Sequence, residues 1–171
     1  MIMNLIEREF VAKYKDFALE TERKTGISHL FTLGQASLES GWGLHAPNNM
    51  FFGIKTDRNC KEEFRQLLVT TEVLSAPPRM GDFPEIISVR RRGDGKYNCT
   101  VKDWFRKYRS AEECFTDHAM FFFRYKRYAQ ALLVRDDPYK FADAIAAAGY
   151  ATAPHYAEVL KKRIAIIDEK Q

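Results

Sequence analysis

The chain has 171 residues, 46% of them hydrophobic and 13% aromatic, which supplies one hydrophobic core and not two. Its net charge of +4, from 27 basic and 23 acidic side chains, suits an anionic partner; wall polymers, nucleic acid and membrane surfaces all qualify, and the charge selects none of them. No stretch approaches the ~20 consecutive apolar residues of a membrane-spanning helix, and the cysteines and histidines fall in no metal-ligand spacing, so neither a span nor a metal is expected.

Taken in order, residues 2–24 read as an amphipathic helix with Ile2, Leu5, Ile6, Phe10, Tyr14, Phe17 and Ala18 on one stripe, closed by Gly26. The first ten residues carry acidic side chains where a signal peptide needs an apolar run, so they show no export by the general secretory route. Ser28 is placed to cap a second helix, on which Ile27, Leu30, Phe31, Gly34 and Leu38 share a face, and Gly41 and Gly43 break it. From about residue 57 to 108 the pattern becomes that of a small antiparallel lobe. It has a β-branched run at Leu67–Leu74, a hairpin of Glu85–Arg90 and Lys96–Val101 around Gly93-Asp94-Gly95, and a third extended piece at Trp104–Tyr108. Helices then resume. Ser110 and Glu113 form a capping-box pattern at the head of an aromatic-rich helix expected to end near Val134. Asp137-Pro138 opens another that Gly149 stops, and Pro154 opens the last, with Tyr156, Val159, Leu160, Ile164 and Ile167 as its apolar positions. The fold class is therefore α+β and mainly α, a single domain over residues 1–171 with the β-lobe inserted. Cys60, Cys99 and Cys114 are odd in number; a Cys60–Cys99 bridge is open, and spacing does not decide it.

The chemistry centres on Gln35-Ala36-Ser37-Leu38-Glu39-Ser40-Gly41-Trp42-Gly43, a carboxylate at the edge of an apolar helix face just before a glycine-broken corner. A carboxylate partly withheld from water keeps its proton to higher pH, which is what a sugar-cleaving general acid needs. Trp42 is assigned to packing that corner.

Glu39-Ser40-Gly41-Trp42-Gly43, followed by Asn48-Asn49-Met50-Phe51-Phe52-Gly53-Ile54-Lys55, resembles the signature of glycoside hydrolase family 73, the glucosaminidase family of peptidoglycan hydrolases that includes bacterial autolysins and the flagellar-rod wall hydrolase. Two further segments carry the likeness. Phe105-Arg106-Lys107-Tyr108 matches the family's Phe-Arg-x-Tyr passage. Ala148-Gly149-Tyr150-Ala151-Thr152-Ala153-Pro154-His155-Tyr156 matches its closing motif, with Ala153 where the family has a helix-capping Asp. The likeness runs from about Ile27 to Ile167 and is weakest in the β-lobe.

The resemblance implies a lysozyme-like fold and an endo-β-N-acetylglucosaminidase that splits the β-1,4 GlcNAc–MurNAc bond of peptidoglycan strands, acting as a monomer without metal or cofactor. It makes Glu39 the proton donor and Tyr150 the tyrosine beside the reacting centre. Glu72, in Thr70-Thr71-Glu72, matches the family's β-lobe glutamate and is the candidate for the second catalytic role. Asp57, Asp82, Glu85 and Asp103 compete for that role, and the substrate's own 2-acetamido group is an alternative to any second carboxylate. Asn49, Phe51, Phe52 and Tyr156 are the candidate substrate-binding residues, through amide bonds and aromatic stacking. A muramidase, a lytic transglycosylase and a non-catalytic wall-binding module are the rival readings. A cell-wall substrate without a visible signal peptide points to delivery by phage lysis or a specialised secretion machine, and no nucleic-acid partner is expected.

Overall fold

Asn4 opens the first helix with a reciprocal cap: its side chain accepts from the Glu7 N–H at 3.0 Å, and the Glu7 carboxylate accepts from the Asn4 N–H at 2.9 Å. The computed structural model describes residues 4–169, so Ile2 of the expected stripe lies outside the described residues. Helix α1 (Leu5–Thr25) buries Phe10, Tyr14, Ala18, Thr21 and Thr25, at steps of three and four. Leu5, Ile6 and Phe17 belong to the expected stripe but are exposed. At 100° per residue, Leu5 falls across the helix from the buried stripe and the other two fall at its margin.

The chain divides into two compact units, one of residues up to Phe52 and from Tyr108 onward, the other Gly53–Lys107. In the first, α2 (His29–Ser40) is the central helix, with Phe31 through Ser37 all buried. Ser28 stands at its N-cap but its side chain makes no capping bond; instead the Glu22 carboxylate, reaching from α1, accepts from the His29 backbone N–H at 2.9 Å and pairs with the imidazole at 2.5 Å. A tertiary partner thus replaces the local cap that the sequence suggested. Helices α3 (Ala111–Arg124), α4 (Pro138–Ala147) and α5 (Tyr156–Asp168) complete the unit. Helix α3 ends ten residues earlier than expected. Tyr125 turns extended (φ −105°, ψ 116°), and two 3₁₀ turns at Lys126–Tyr128 and Ala131–Val134 follow. The break lets Tyr128, which is 1% exposed, turn into the core. Asp137 caps α4 through the Tyr139 and Lys140 N–H groups with Pro138 at the first position, as expected. Pro154 forms a turn rather than the first helical residue, and Val159 is exposed.

The core joins Ile27, Phe31, Phe122, Phe141, Ile145, Leu160 and Ile164. Helices α2 and α5 pack against each other at Gly34, where an added Cβ would stand 2.6 Å from the Ile164 side chain. Gly34→Ala gains ~1 kcal/mol of helix propensity but overpacks a contact at a cost of about 1–3 kcal/mol. The β-branched Ile164 cannot swing aside, so we expect a net loss of stability in urea denaturation.

The sheet unit holds three antiparallel strands, β1 (Arg65–Leu74), β2 (Glu85–Arg91) and β3 (Tyr97–Arg106), in the order β1-β3-β2. Trp104 is the far end of β3 and not a separate strand, because β3 pairs continuously with β1 from Arg65↔Arg106 to Leu74↔Tyr97. The β2–β3 turn closes through Arg92 N–H to Lys96 O at 2.7 Å, with Gly95 in the left-handed region (φ 81°). Among the described residues, five α-helices and a three-stranded antiparallel sheet make the chain mainly α, α+β, as its sequence patterns indicate. Cys60, Cys99 and Cys114 are all free thiols, so the Cys60–Cys99 bridge is not formed. No helix among the described residues is long and apolar enough to cross a membrane.

Candidate active site

Helix α2 ends in an unusual way, and Glu39 sits on its last turn. Gly41, Trp42 and Gly43 all adopt left-handed backbone (φ 58°, 60° and 79°). For a bulky residue such as Trp42 that conformation costs on the order of 1–2 kcal/mol. The surroundings hold it. Trp42 N–H donates to Ser37 O at 2.8 Å, and buried Ser40 donates its hydroxyl to Ala36 O and accepts from Gly43 N–H at 2.8 Å. The Trp42 ring meets the edge of Phe10 at 5.6 Å and lies 4.7 Å from the Arg163 guanidinium. The Gly43 position favours glycine: its φ of 79° strains any other residue, and an added Cβ would crowd the Phe10 and Tyr14 rings at 3.2 Å. The Glu-Ser-Gly-Trp-Gly motif is thus a rigid corner that fixes the position of the carboxylate preceding it.

Glu39 opens into a groove of about 390 Å³ lined by Leu38, Ala153, Pro154, Tyr156 and Val159 among others, and it is the only carboxylate among the lining residues. The side chain is open to solvent along the groove, yet the largely apolar walls withhold enough water to push its pKa above the ordinary glutamate value. Tyr150 and Tyr156 stand close by. Their rings are 5.4 Å apart. Burial, joined by the Glu39 charge, raises both pKa values, and for Tyr156 it outweighs the opposing hydrogen bond from Gln35, so both keep their protons. Behind them lies a buried polar pair. Gln35, one turn before Glu39 and 0% exposed, donates its amide to the Tyr156 hydroxyl at 2.8 Å and faces the Nε2 of buried His118 at 2.7 Å. Burial pushes the His118 imidazole down to a pKa of about 3, so it is neutral.

The remaining sequence candidates separate clearly. Phe51 is 1% exposed and wedged edge-on between Tyr14 and Phe115, each 5.0 Å away, so it has no face for a sugar ring; its expected substrate contact is overturned by burial. Phe52 is half-buried and stacks flat on His118 at 3.8 Å. Asn49, at φ 59°, donates its amide to Tyr108 O at 3.1 Å, while Asn48 O accepts from Tyr108 N–H at 3.0 Å, so this pair clamps the chain where it returns to the helices.

In the sheet unit, Glu72 lies half-buried on β1 and accepts from Lys55 Nζ at 2.7 Å; the same ammonium reaches Asp103 at 3.0 Å. Partial burial pulls the Lys55 pKa down, but the two carboxylate bonds outweigh it and leave the pKa raised, so the ammonium keeps its proton. The other β-lobe acids have local duties. Asp57 accepts from Asn59 and Cys60 N–H, Asp82 from Arg79 N–H, and Glu85 pairs with Lys102 at 2.6 Å.

Sequence reasoning missed Gln35, His118 and Lys55. A glutamine inside an otherwise apolar helix stretch was a readable signal for the first, whereas His118 inside an aromatic helix gave none. Among the described residues no group of acids, histidines and cysteines is gathered to hold a metal.

The family model described as mannosyl-glycoprotein endo-beta-N-acetylglucosaminidase matches residues 15–169. The chain is 30% identical to the peptidoglycan hydrolase FlgJ of Vibrio cholerae over 94% of its own length, and 31% identical to that of Escherichia coli K12 over 92%. It spans less than half of those proteins, 43% and 45%. Among solved structures it resembles a C-terminally truncated glycoside hydrolase domain of Salmonella typhimurium FlgJ with a TM-score of 0.71 and 27% identity, covering 96% of this chain and 99% of that one. The catalytic domain of the Listeria monocytogenes autolysin Auto, at TM-score 0.68 and 19% identity, covering 98% of this chain and 88% of that one, shares the fold. These likenesses bear out the lysozyme-like fold that the sequence motifs imply.

Proposed function

The chain belongs to the glucosaminidase family, and we propose that it is a peptidoglycan hydrolase, an endo-β-N-acetylglucosaminidase that cleaves the β-1,4 GlcNAc–MurNAc bond at the bacterial cell wall. The observation that carries this reading is Glu39: one carboxylate, fixed by a strained corner, in a mostly apolar groove that raises its pKa. Protonated there, it donates to the departing glycosidic oxygen as the sugar takes on oxocarbenium character. Tyr150 and Tyr156 supply neutral hydrogen-bond donors for the N-acetyl group or for charge that develops during cleavage. We assign Glu72 the second carboxylate role, on its match to the family's Thr-Thr-Glu and on the Lys55 bond that fixes its side chain.

Digestion of purified peptidoglycan, borohydride reduction and mass spectrometry test the reaction. Reduced GlcNAc at the new ends is expected. Reduced MurNAc would make the protein a muramidase, anhydro-MurNAc a lytic transglycosylase, and no product a wall-binding module. In the same assay Glu72→Gln should lower the rate by about 100-fold without abolishing it, the lower end of the range for a positioned acid or base. A wild-type rate would move the second role to the substrate's acetamido group.

A further inference from the structure

The buried pair behind the two tyrosines has no part in proton donation by Glu39, and its chemistry is directional. The Gln35 amide oxygen accepts only, so the His118 Nε2 facing it at 2.7 Å carries the proton and donates. The Gln35 amide nitrogen then points the other way and donates to the Tyr156 hydroxyl at 2.8 Å. His118 Nε2 is also 3.4 Å from the Tyr150 hydroxyl, on the donor side of the same atom. The His118–Gln35 pair thus presents a donor, and not an acceptor, to the Tyr156 oxygen. Accepting from Gln35, that hydroxyl has its own proton left to direct away from the buried pair, and Tyr156 lines the groove that holds Glu39.

We propose that Gln35 and His118 are positioning residues that turn the Tyr156 hydroxyl proton into the groove beside Glu39, where it is presented to the substrate as a donor. Burial fixes the arrangement. Gln35 is 0% and His118 8% exposed, and Phe52 stacked on the imidazole at 3.8 Å seals that side. Phe52, a residue of the Asn-Asn-Met-Phe-Phe-Gly segment, therefore serves the groove by holding a histidine and not by stacking on sugar. A strong donor set in place before the substrate arrives needs no reorganisation during cleavage.

The inference rests on the hydrolase reading for its kinetic test and not for its spectroscopic one. In the intact protein, ¹⁵N NMR of His118 should show a neutral imidazole with the proton on Nε2 from about pH 5 to about pH 8. A proton on Nδ1 would mean that the Gln35 amide is reversed and draws the Tyr156 proton inward, which overturns the proposal. In peptidoglycan turnover, Tyr156→Phe and His118→Phe should each lower kcat by about 10-fold with KM little changed, the loss of one well-placed hydrogen bond. His118→Gln, whose amide N–H reaches the same place, should restore most of the rate. In the Tyr156→Phe background, His118→Phe should add less than about 2-fold, because its effect passes through that hydroxyl. Losses that multiply, or a His118→Gln enzyme as poor as His118→Phe, would make the histidine a packing residue only. Inactivity of the wild type, by contrast, strikes the hydrolase reading and leaves the tautomer result to stand or fall alone.

Discussion

Glu39→Gln should release product from purified peptidoglycan at least about 100-fold more slowly than wild type while remaining folded, the loss expected when a positioned proton donor is removed. The amide keeps the size of the carboxyl group and its place on the last turn of α2 but has no proton to give. The stability change has a definite sign. Burial raises the Glu39 pKa in the folded state, so the charged form is disfavoured by folding. That penalty is fully present above the folded pKa and disappears below the unfolded one. The glutamine variant should therefore melt at the same temperature as wild type or slightly higher near pH 7, and the difference should vanish as the pH falls below the ordinary glutamate range. Activity has the matching dependence. The acid must be protonated, so the alkaline limb of kcat/KM should lie above the pH at which an exposed glutamate ionises. Full activity of Glu39→Gln would remove the assignment.

Phe122→Ala should be the most damaging single truncation in the helical core. The ring is 1% exposed and meets Phe31 at 5.9 Å, Phe141 at 5.2 Å, Tyr128 at 5.2 Å, His118 at 5.4 Å and Tyr150 at 5.6 Å. Removing a ring so enclosed leaves a cavity that its neighbours cannot all close, at a cost of about 3–5 kcal/mol, out of the 5–15 kcal/mol or so that holds a typical domain together. For a chain of this length that is a fall in melting temperature of about 10 °C. Because the ring lies under both Tyr150 and His118, residual activity should fall as well, even at temperatures where the variant is folded. Its neighbour Phe123 is the control. It is 41% exposed and touches Arg135 only distantly, at 6.0 Å, so Phe123→Ala should cost no more than about 1 kcal/mol. Equal losses at the two positions would mean that α3 is rotated from the packing described.

The sequence alone determined the features that are written along the chain. Helical periodicity gave α2 and the carboxylate at its end, the Asp137-Pro138 pair gave the start of α4, and the Gly-x-Gly corner and the Asn-Asn-Met-Phe-Phe-Gly-Ile-Lys run gave the family. Each depends on residues within a few positions of one another, where backbone geometry and side-chain spacing are linked directly. Other features depended on partners far off in the chain, and only the tertiary structure decided them. Two adjacent phenylalanines looked alike, yet Phe51 is sealed in the core and Phe52 covers a histidine. Ser28 looked like a cap, but Glu22 does that work from another helix. Gln35 meets His118 across 83 residues and Tyr156 across 121. A buried amide is satisfied by whatever donor or acceptor the fold brings to it, and no local pattern specifies which one that is.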